Sequence, residues 1–366
     1  MGVGRLRICV DALMLDQEAT GIGQYIRSLF EAYCVQYPDD RVWGFFQPGV
    51  EIAGVAAEIA ARGVQGGRRL WYEQWGVPSR LRHAAYDVVH FPDYRVPLWR
   101  SPPRSVMTVH DLAAFVMPHV FPRSKTPVKR WLMRQSVKRA SRIIVPSQAT
   151  RNDLLNILNV PSEKVHVIPH GVKRSAQPLP TRVHDRPYFL AVGTIEPRKN
   201  FDGLIRAYHL LHQDRADVPD LVIAGRLGWM YDSTLALPQQ LGVAEKVKFL
   251  HYVSEATLAT LYRDAVCMVY PSFYEGFGLP VVEAMLANIP VVTSSQGALA
   301  ELGGQFLWRA DPYDIGAIAT QMGMILDGGI DVRVRAQSAQ EWASRLTWQI
   351  AARQTRKVYD EVAQGG

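Results

Sequence analysis

Cysteine is scarce in this chain of 366 residues: Cys9, Cys34 and Cys267 lie far apart, without the paired spacing of a metal site. Cys9 and Cys267 sit in apolar runs, where a free thiol behaves as a small buried hydrophobe. So sparse and odd a set excludes a disulfide scaffold and points to a reducing compartment, the cytosol. No uninterrupted apolar stretch approaches the roughly 20 residues that a membrane-spanning helix needs. The first seven residues, MGVGRLR, run into a strand-like segment without the apolar region or small-residue cleavage site of a secretory leader. Low-complexity tracts and short repeats are missing as well. No Asp-x-Asp triplet occurs, and no His, Cys or carboxylate cluster has metal-ligand spacing.

What is there is an ordinary globular composition, 48% hydrophobic, at a length that suggests two domains. The net charge of +7 is unevenly divided. Residues 1–174 hold 24 basic and 14 acidic side chains, a balance of +10, and the remainder holds 17 and 20, a balance of −3. A basic first half suggests a polyanionic partner, an anionic membrane or a nucleic acid, unless it is only a solvated face.

Short β-branched runs recur at 6–10, 42–46, 87–91, 105–109 and 142–145, and again at 188–192, 221–224, 247–250, 267–270 and 290–293. They are almost continuously apolar, as strands covered on both faces are. Between them lie helical patterns. Ile22, Ile26, Leu29, Phe30 and Tyr33 share one face of a helix over 22–36, and Leu204, Ile205, Tyr208 and Leu211 one over 201–212. The alternation predicts an α/β fold with two Rossmann-like parallel sheets. The proline-bearing stretch 173–182 reads as the linker. The expected domains are residues 1–178 and 179–345, followed by a C-terminal helix in 346–366 that crosses back to pack on the first domain.

The strongest local pattern is SFYEGFGLPVVEAM, residues 272–285. It follows a strand and runs into a helix beginning near Pro280, so Glu275 and Glu283 flank a glycine-rich turn. Gly276 and Gly278 let backbone N–H groups approach an anion, and the helix N-terminus adds its positive end. Glu283, about one turn into the helix, could accept hydrogen bonds from ribose hydroxyls. Arg198 and Lys199 are adjacent cations after the strand 188–192, suited to a diphosphate that gains charge as it departs. Gly21-Ile22-Gly23, between strand and helix, can also present N–H groups to a diphosphate or an acceptor group.

Together these residues resemble the retaining glycosyltransferases of family four, the GT-B group, whose signature is a pair of glutamates eight positions apart, here Glu275 and Glu283. Other landmarks of that family stand in order along almost the whole chain: GIG at 21–23, VHDL at 109–112, VPS at 145–147, IPHGV at 168–172, GTIEPRKN at 193–200 and AGR at 224–226. The resemblance implies two Rossmann-like domains facing a central cleft, the nucleotide-sugar mainly on the second and the acceptor on the first. It implies that Glu275 binds a donor-sugar hydroxyl and Glu283 the ribose. Arg198 and Lys199 neutralise the diphosphate, while His110 touches the transferred sugar and Asp111 orients its loop. Gly23, Gly225, Gly276, Phe277, Gly278 and Leu279 line the donor site. Many relatives carry arginine where this chain has Thr194, so Arg198 or Arg226 must supply any second cation. No cofactor and no divalent metal is expected. Retention is implied by the family, with front-face substitution as the expected route.

The densest basic segment spans 123–142. Arg130, Arg134, Lys138 and Arg142 recur at i+4 and would line one stripe of a helix, with Lys129 beside them and Trp131, Leu132 and Met133 adding apolar bulk. An acceptor linked to polyprenyl diphosphate, met at the anionic inner face of the plasma membrane, accounts for this charge; nucleic acid, without a reading module, is not expected. The segment 70–78 is aromatic-rich for a surface loop and similar to one in bacterial mannosyltransferase-like members; packing an acceptor sugar and anchoring two loops are equal readings of it. The expected reaction moves a hexose, with GDP-mannose the preferred donor, onto a lipid-linked or polysaccharide glycan. UDP-glucose or UDP-N-acetylglucosamine as donor, and a non-catalytic nucleotide-sugar or glycan-binding protein, are the alternatives.

Overall fold

The computed structural model describes residues 4–15, 21–59, 66–122, 126–173 and 176–365. Arg123 and Lys125 of the basic segment, and Arg174 and Ser175 of the linker, lie outside them. The chain forms two compact units. One comprises Met1–Val116, Arg123–Gly171 and Leu346–Gly366, and the other Met117–Pro122 and Val172–Arg345.

The first unit is built on β1 (Arg7–Asp11), β2 (Arg41–Phe46), β3 (Ala56–Ile59), β4 (Val88–Phe91), β5 (Ser105–Thr108), β6 (Arg142–Val145) and β7 (Val165–Val167), in the order β3-β2-β1-β4-β5-β6-β7. Every pairing is parallel, with Ile8 opposite both Val42 and Val88. Among its helices are α1 (Gly21–Gln36), α2 (Thr126–Arg139) and α3 (Gln148–Leu158). Helix α1 buries Ile26, Leu29, Phe30 and Tyr33 of the face that its spacing predicts; Ile22 is half-buried, and Tyr25 joins the buried side. Helix α3 is capped by Ser147, whose hydroxyl accepts from the Thr150 N–H at 3.1 Å.

The second unit repeats the plan with β8 (Tyr188–Val192), β9 (Asp220–Ala224), β10 (Val247–His251), β11 (Cys267–Tyr270), β12 (Val291–Ser294) and β13 (Trp308–Ala310), again all parallel, in the order β10-β9-β8-β11-β12-β13. Helix α4 (Phe201–Asp214) buries Leu204, Ile205, Tyr208 and Leu211, and α5 (Leu279–Leu286) follows β11. The segment Met117–Pro122 joins this unit through an aromatic anchor: the Trp229 indole N–H donates to the Val120 carbonyl at 2.5 Å, and its ring lies 5.4 Å from that of Phe121.

Helix α6 (Trp348–Ala363) belongs to the first unit and packs on α1, burying Trp348, Ala351, Ala352, Val358, Tyr359 and Val362 in the same core. Gly171 makes room for its first turn, since a Cβ there would come within 2.2 Å of the Trp348 nitrogen. A buried ion pair fixes the helix: Arg356 Nε lies 2.8 Å from Asp40 Oδ2, and Asp40 also accepts from Tyr33 Oη and the Leu6 N–H, both at 2.7 Å.

Two expectations for the first unit are corrected. The i+4 basic stripe ends early, because α2 stops at Arg139 and Arg142 opens β6, pairing opposite Val106 and reaching Glu361 at 3.3 Å. Sheet pairing overrides helical periodicity there. The segment 70–78 is helical rather than a loop: the helix Gly66–Trp71 passes through a π-turn at Tyr72–Gly76 into the helix Val77–Leu81. Its Glu73 is buried against Arg69 at 2.7 Å and Arg95 at 3.1 Å, while Trp75 stacks on Trp99 at 5.4 Å, so the segment ties neighbouring elements together.

Removing one partner of a buried ion pair strands the other charge. Arg356→Ala should therefore lower unfolding free energy by about 3 kcal/mol in chemical denaturation; a loss below about 1 kcal/mol would show that Tyr33 and the Leu6 amide satisfy Asp40 unaided.

Candidate active site

In the second sheet, β8 and β11 are neighbours, yet the chain runs outward from them in opposite directions. The ends of the connecting loops therefore part above this pair, leaving room for a ligand at the carboxyl edge. The loops after β8 and β11 carry the charged residues predicted from the sequence.

The β8 loop turns through a short 3₁₀ segment, Pro197–Lys199, and enters α4 at Asn200. Asn200 adopts the left-handed conformation, φ 57°, and its side-chain carbonyl accepts from the Gly203 N–H at 3.2 Å. Its amide donates to Pro271 O at 3.1 Å and to Pro312 O at 2.7 Å, pinning three loops to one another. Arg198 and Lys199 then converge on Glu275. Arg198 Nη1 and Lys199 Nζ each reach a different Glu275 oxygen at 2.6 Å, and Tyr270 Oη donates to Oε1 at 3.0 Å. Glu196 holds the far side of the Arg198 guanidinium at 2.6 Å. Two cations thus face two carboxylates, and the cluster is neutral when all four are ionised.

Burial alone would push the Glu275 carboxyl up, but Arg198 and Lys199 outweigh it and hold it at about 2. A depressed pKa stabilises the fold fully above the ordinary value of 4.5, and that contribution fades as pH falls toward 2. Burial shifts Lys199 downward against the pull of Glu275. It shifts the Tyr270 hydroxyl upward, reinforced by the Glu275 charge, so Tyr270 is a donor at neutral pH.

Glycines make the arrangement possible. Gly193 has φ +145°, and the Lys199 stem lies over it, with Cε 3.4 Å from where a Cβ would stand. At Gly225 a Cβ would fall 1.9 Å from the Gly193 carbonyl oxygen, so β8 and β9 can meet this closely only without a side chain there. Gly278, φ +109°, caps α5 and packs under Leu299; Phe277 beside it is buried. Leu279 is the first residue of α5, and Gly276 lies in the bend that leads into it. Glu283 stands one turn into the helix, where one oxygen accepts from Tyr262 Oη at 2.9 Å and burial raises its pKa. Arg226 lies over the Tyr252 ring at 4.5 Å.

The structure thus brings Arg198, Lys199 and Glu275 into direct contact, with Gly225, Gly276, Phe277, Gly278, Leu279 and Glu283 on the surrounding turns of the same unit. His110 and Gly23 belong to the first unit. Gly23 is buried in the first turn of α1. His110 Nε2 is 2.9 Å from Pro92 O and therefore carries the proton, while Nδ1 faces His170 Nε2 at 3.4 Å and Tyr25 packs edge-on at 4.8 Å. Burial lowers its pKa, which keeps it neutral. The Asp111 carboxylate accepts from the Ala113 N–H at 2.9 Å, ordering the turn that follows. Arg130 and Arg134 lie over the Phe115 ring at 5.1 and 4.9 Å, Lys129 lies over Tyr94 at 5.4 Å, and Lys138 is exposed. Tyr270, Glu196 and Asn200 were not singled out from the sequence. Tyr270 ends a strand, where its hydroxyl carries no periodic signal, and the other two lay unremarked inside GTIEPRKN. Among the described residues, no group of three or more His, Cys, Asp or Glu is placed to hold a metal ion.

Comparison with known proteins places this geometry. Residues 175–342 match the family model of glycosyl transferases group 1, and residues 56–176 that of glycosyltransferase family 4. The O-antigen chain mannosyltransferase B of Escherichia coli is 31% identical over 297 residues, 77% of each chain. The O-antigen chain mannosyltransferase RfbU of Salmonella typhimurium is 34% identical over 55% of this chain, which spans about half (54%) of that relative's length. In fold, sucrose-phosphate synthase from Thermosynechococcus elongatus superposes with a TM-score of 0.79 at 20% identity, covering 99% of this chain and 100% of its own. With its two parallel α/β units and the charged network at the switch point of the second, this chain belongs to the family 4, group 1 glycosyltransferases of GT-B fold.

Proposed function

We propose that this protein transfers mannose from GDP-mannose, with retention of anomeric configuration, onto a lipid-linked or polysaccharide glycan of the O-antigen, capsule or exopolysaccharide kind. The single observation that carries this reading is the 31% identity, across 77% of both chains, to an O-antigen chain mannosyltransferase. The network at the β8–β11 edge supplies chemistry to match. Arg198 and Lys199 offer positive charge to a departing diphosphate, and the N-terminus of α5 adds partial positive charge. We assign neutralisation of the leaving group to these elements and propose a reaction without divalent metal. Glu275 binds a donor hydroxyl, Glu283 the ribose, and the phosphate of the leaving nucleotide helps deprotonate the acceptor hydroxyl on the same face. His110, neutral and donating to Pro92, is assigned to substrate contact rather than proton transfer. Among the described residues no helix is long and apolar enough to cross a membrane, and we place the protein peripherally at the inner face of the plasma membrane.

The network itself constrains the mechanism. Because Glu196 and Glu275 neutralise the two cations, a diphosphate can use Arg198 and Lys199 only by drawing them partly away from Glu275. That exchange would free Glu275 oxygens for the sugar as the donor settles.

Hydrolysis and thermal shift measured across GDP-mannose, UDP-glucose and UDP-N-acetylglucosamine test the donor. Turnover and stabilisation are expected with GDP-mannose; turnover with UDP-sugars alone overturns the assignment, and binding of a donor without turnover on any acceptor identifies a binding protein. Glu275→Ala and Glu275→Gln should each reduce kcat on the order of 100-fold while leaving GDP affinity equal or tighter, since both relieve the competition for the cations. An unchanged kcat in either folded variant rejects the role of Glu275. Lys199→Ala should raise the GDP dissociation constant and lower kcat together, by roughly 10-fold or more each; wild-type values for both would dismiss the cation pair.

A further inference from the structure

We infer that His170 is a positioning residue for His110, donating its Nε2–H to His110 Nδ1 and so holding that ring as the neutral tautomer protonated on Nε2. The inference rests on the reading above that His110 touches the substrate. His110 follows β5 and His170 follows β7, so VHDL and IPHGV, separate landmarks in the sequence, meet at the carboxyl edge of the first sheet. Pro92 O, after β4, takes the His110 Nε2 proton at 2.9 Å, which leaves Nδ1 as an acceptor. His170 Nε2 stands 3.4 Å from that acceptor. Of the two neutral forms of His170, only the one protonated on Nε2 avoids setting lone pair against lone pair. His170 is 5% exposed and His110 is half-buried, so the second histidine acts from behind the first and not on the substrate itself.

The surroundings of the pair keep this arrangement in place. The Trp348 indole lies 6.1 Å from the His170 ring and nearly parallel to it, at 22°. Tyr25 packs against both histidines, 4.7 Å from His170 and 4.8 Å from His110. Its hydroxyl is 3.0 Å from Thr108 Oγ1, which is 2.8 Å from His90 Nε2, and His90 Nδ1 is 2.6 Å from Tyr359 Oη. Helix α6 thus supports both walls, Trp348 directly and Tyr359 through that buried chain. Nearby charge works against a neutral ring. Burial lowers the His110 pKa, but the Pro92 carbonyl, Asp93 and Asp111 raise it, with Lys129 of α2 opposing them. Burial holds His170 and His90 neutral and keeps the proton on Tyr25. An imidazolium at His110 would carry a proton on Nδ1 as well, and would face the His170 N–H donor to donor. The His170 donor therefore disfavours the charged form, where a ring without a donor would not.

NMR titration of the histidine ring signals in the whole chain, without donor or acceptor, tests the assignment. The His110 signal is identified by its loss in His110→Asn. His170→Phe keeps an aromatic ring against Trp348 and Tyr25 but removes the N–H, and the His110 midpoint should rise by about half a pH unit or more. His170→Gln, whose amide can donate to Nδ1, should stay near the wild-type midpoint. In turnover, the acid limb of the kcat/KM profile should move with that midpoint. The phenylalanine variant should then lose about threefold on this limb relative to its plateau, and the glutamine variant should recover it. Melting temperatures show which variants stay folded, and His170→Leu serves as the donorless variant where the larger ring unfolds the protein. An unmoved His110 midpoint in a folded donorless variant overturns the proposal, and so does a glutamine variant that titrates like the donorless one. A shifted midpoint in a protein that turns over no donor supports the positioning and fails the transferase reading; turnover with an unshifted midpoint does the reverse.

Discussion

Glu275 accepts from Arg198, Lys199 and Tyr270 at 2.6 to 3.0 Å, and this buried convergence sets terms for the whole second unit. Charges removed from water persist only when each is matched and hydrogen-bonded. Arg198 and Lys199 arrive on the loop after β8, Tyr270 and Glu275 on the strand and loop after β11, so the match exists only while those two strands are neighbours. Strand order β9-β8-β11-β12 makes them neighbours and carries their onward connections apart. Asn200 then ties the same loops through Pro271 and Pro312. Gly193 takes the positive φ that the turn beneath Lys199 requires, and Gly225 lets the backbones close, where a Cβ would strike the Gly193 carbonyl. Electrostatics, topology and the glycines are thus one constraint seen at three scales.

The neutrality of this cluster has a functional side. An array of unpaired buried cations would hold a diphosphate strongly but would be costly to maintain in the fold. Pairing them with glutamates removes that cost and leaves cations that can change partners when a stronger anion arrives. Burial raises the pKa of Tyr270, which keeps its proton at neutral pH, while Glu275 opposes the burial that lowers the pKa of Lys199.

The first unit follows a different logic. Its sheet is closed by α6, which the chain supplies only after completing the second unit. The link between them in sequence is long, but the physical bond is short: Arg356 on Asp40, with Tyr359 Oη against His90 at 2.6 Å inside the core. Its basic character lies outside that core, on α2 and the turn after α3.

Interior strands were legible in the sequence because both of their faces are covered, which demands continuous apolar runs; 142–145, 188–192 and 267–270 coincide with β6, β8 and β11. The strands that escaped notice, β3, β7 and β13, are three or four residues long and lie at sheet edges, where one side needs no partner and the pattern weakens. The basic stripe failed at Arg142 because a strand's register, not a helix's period, governs that residue. Scarce cysteine, the split of charge and the glutamates eight apart in a glycine-rich turn are local properties, and composition and spacing alone determined them. Which carboxylate meets which cation was decided by the tertiary structure. Partners 76 and 77 residues apart meet only when two parallel strands are laid side by side, and no local pattern encodes that adjacency.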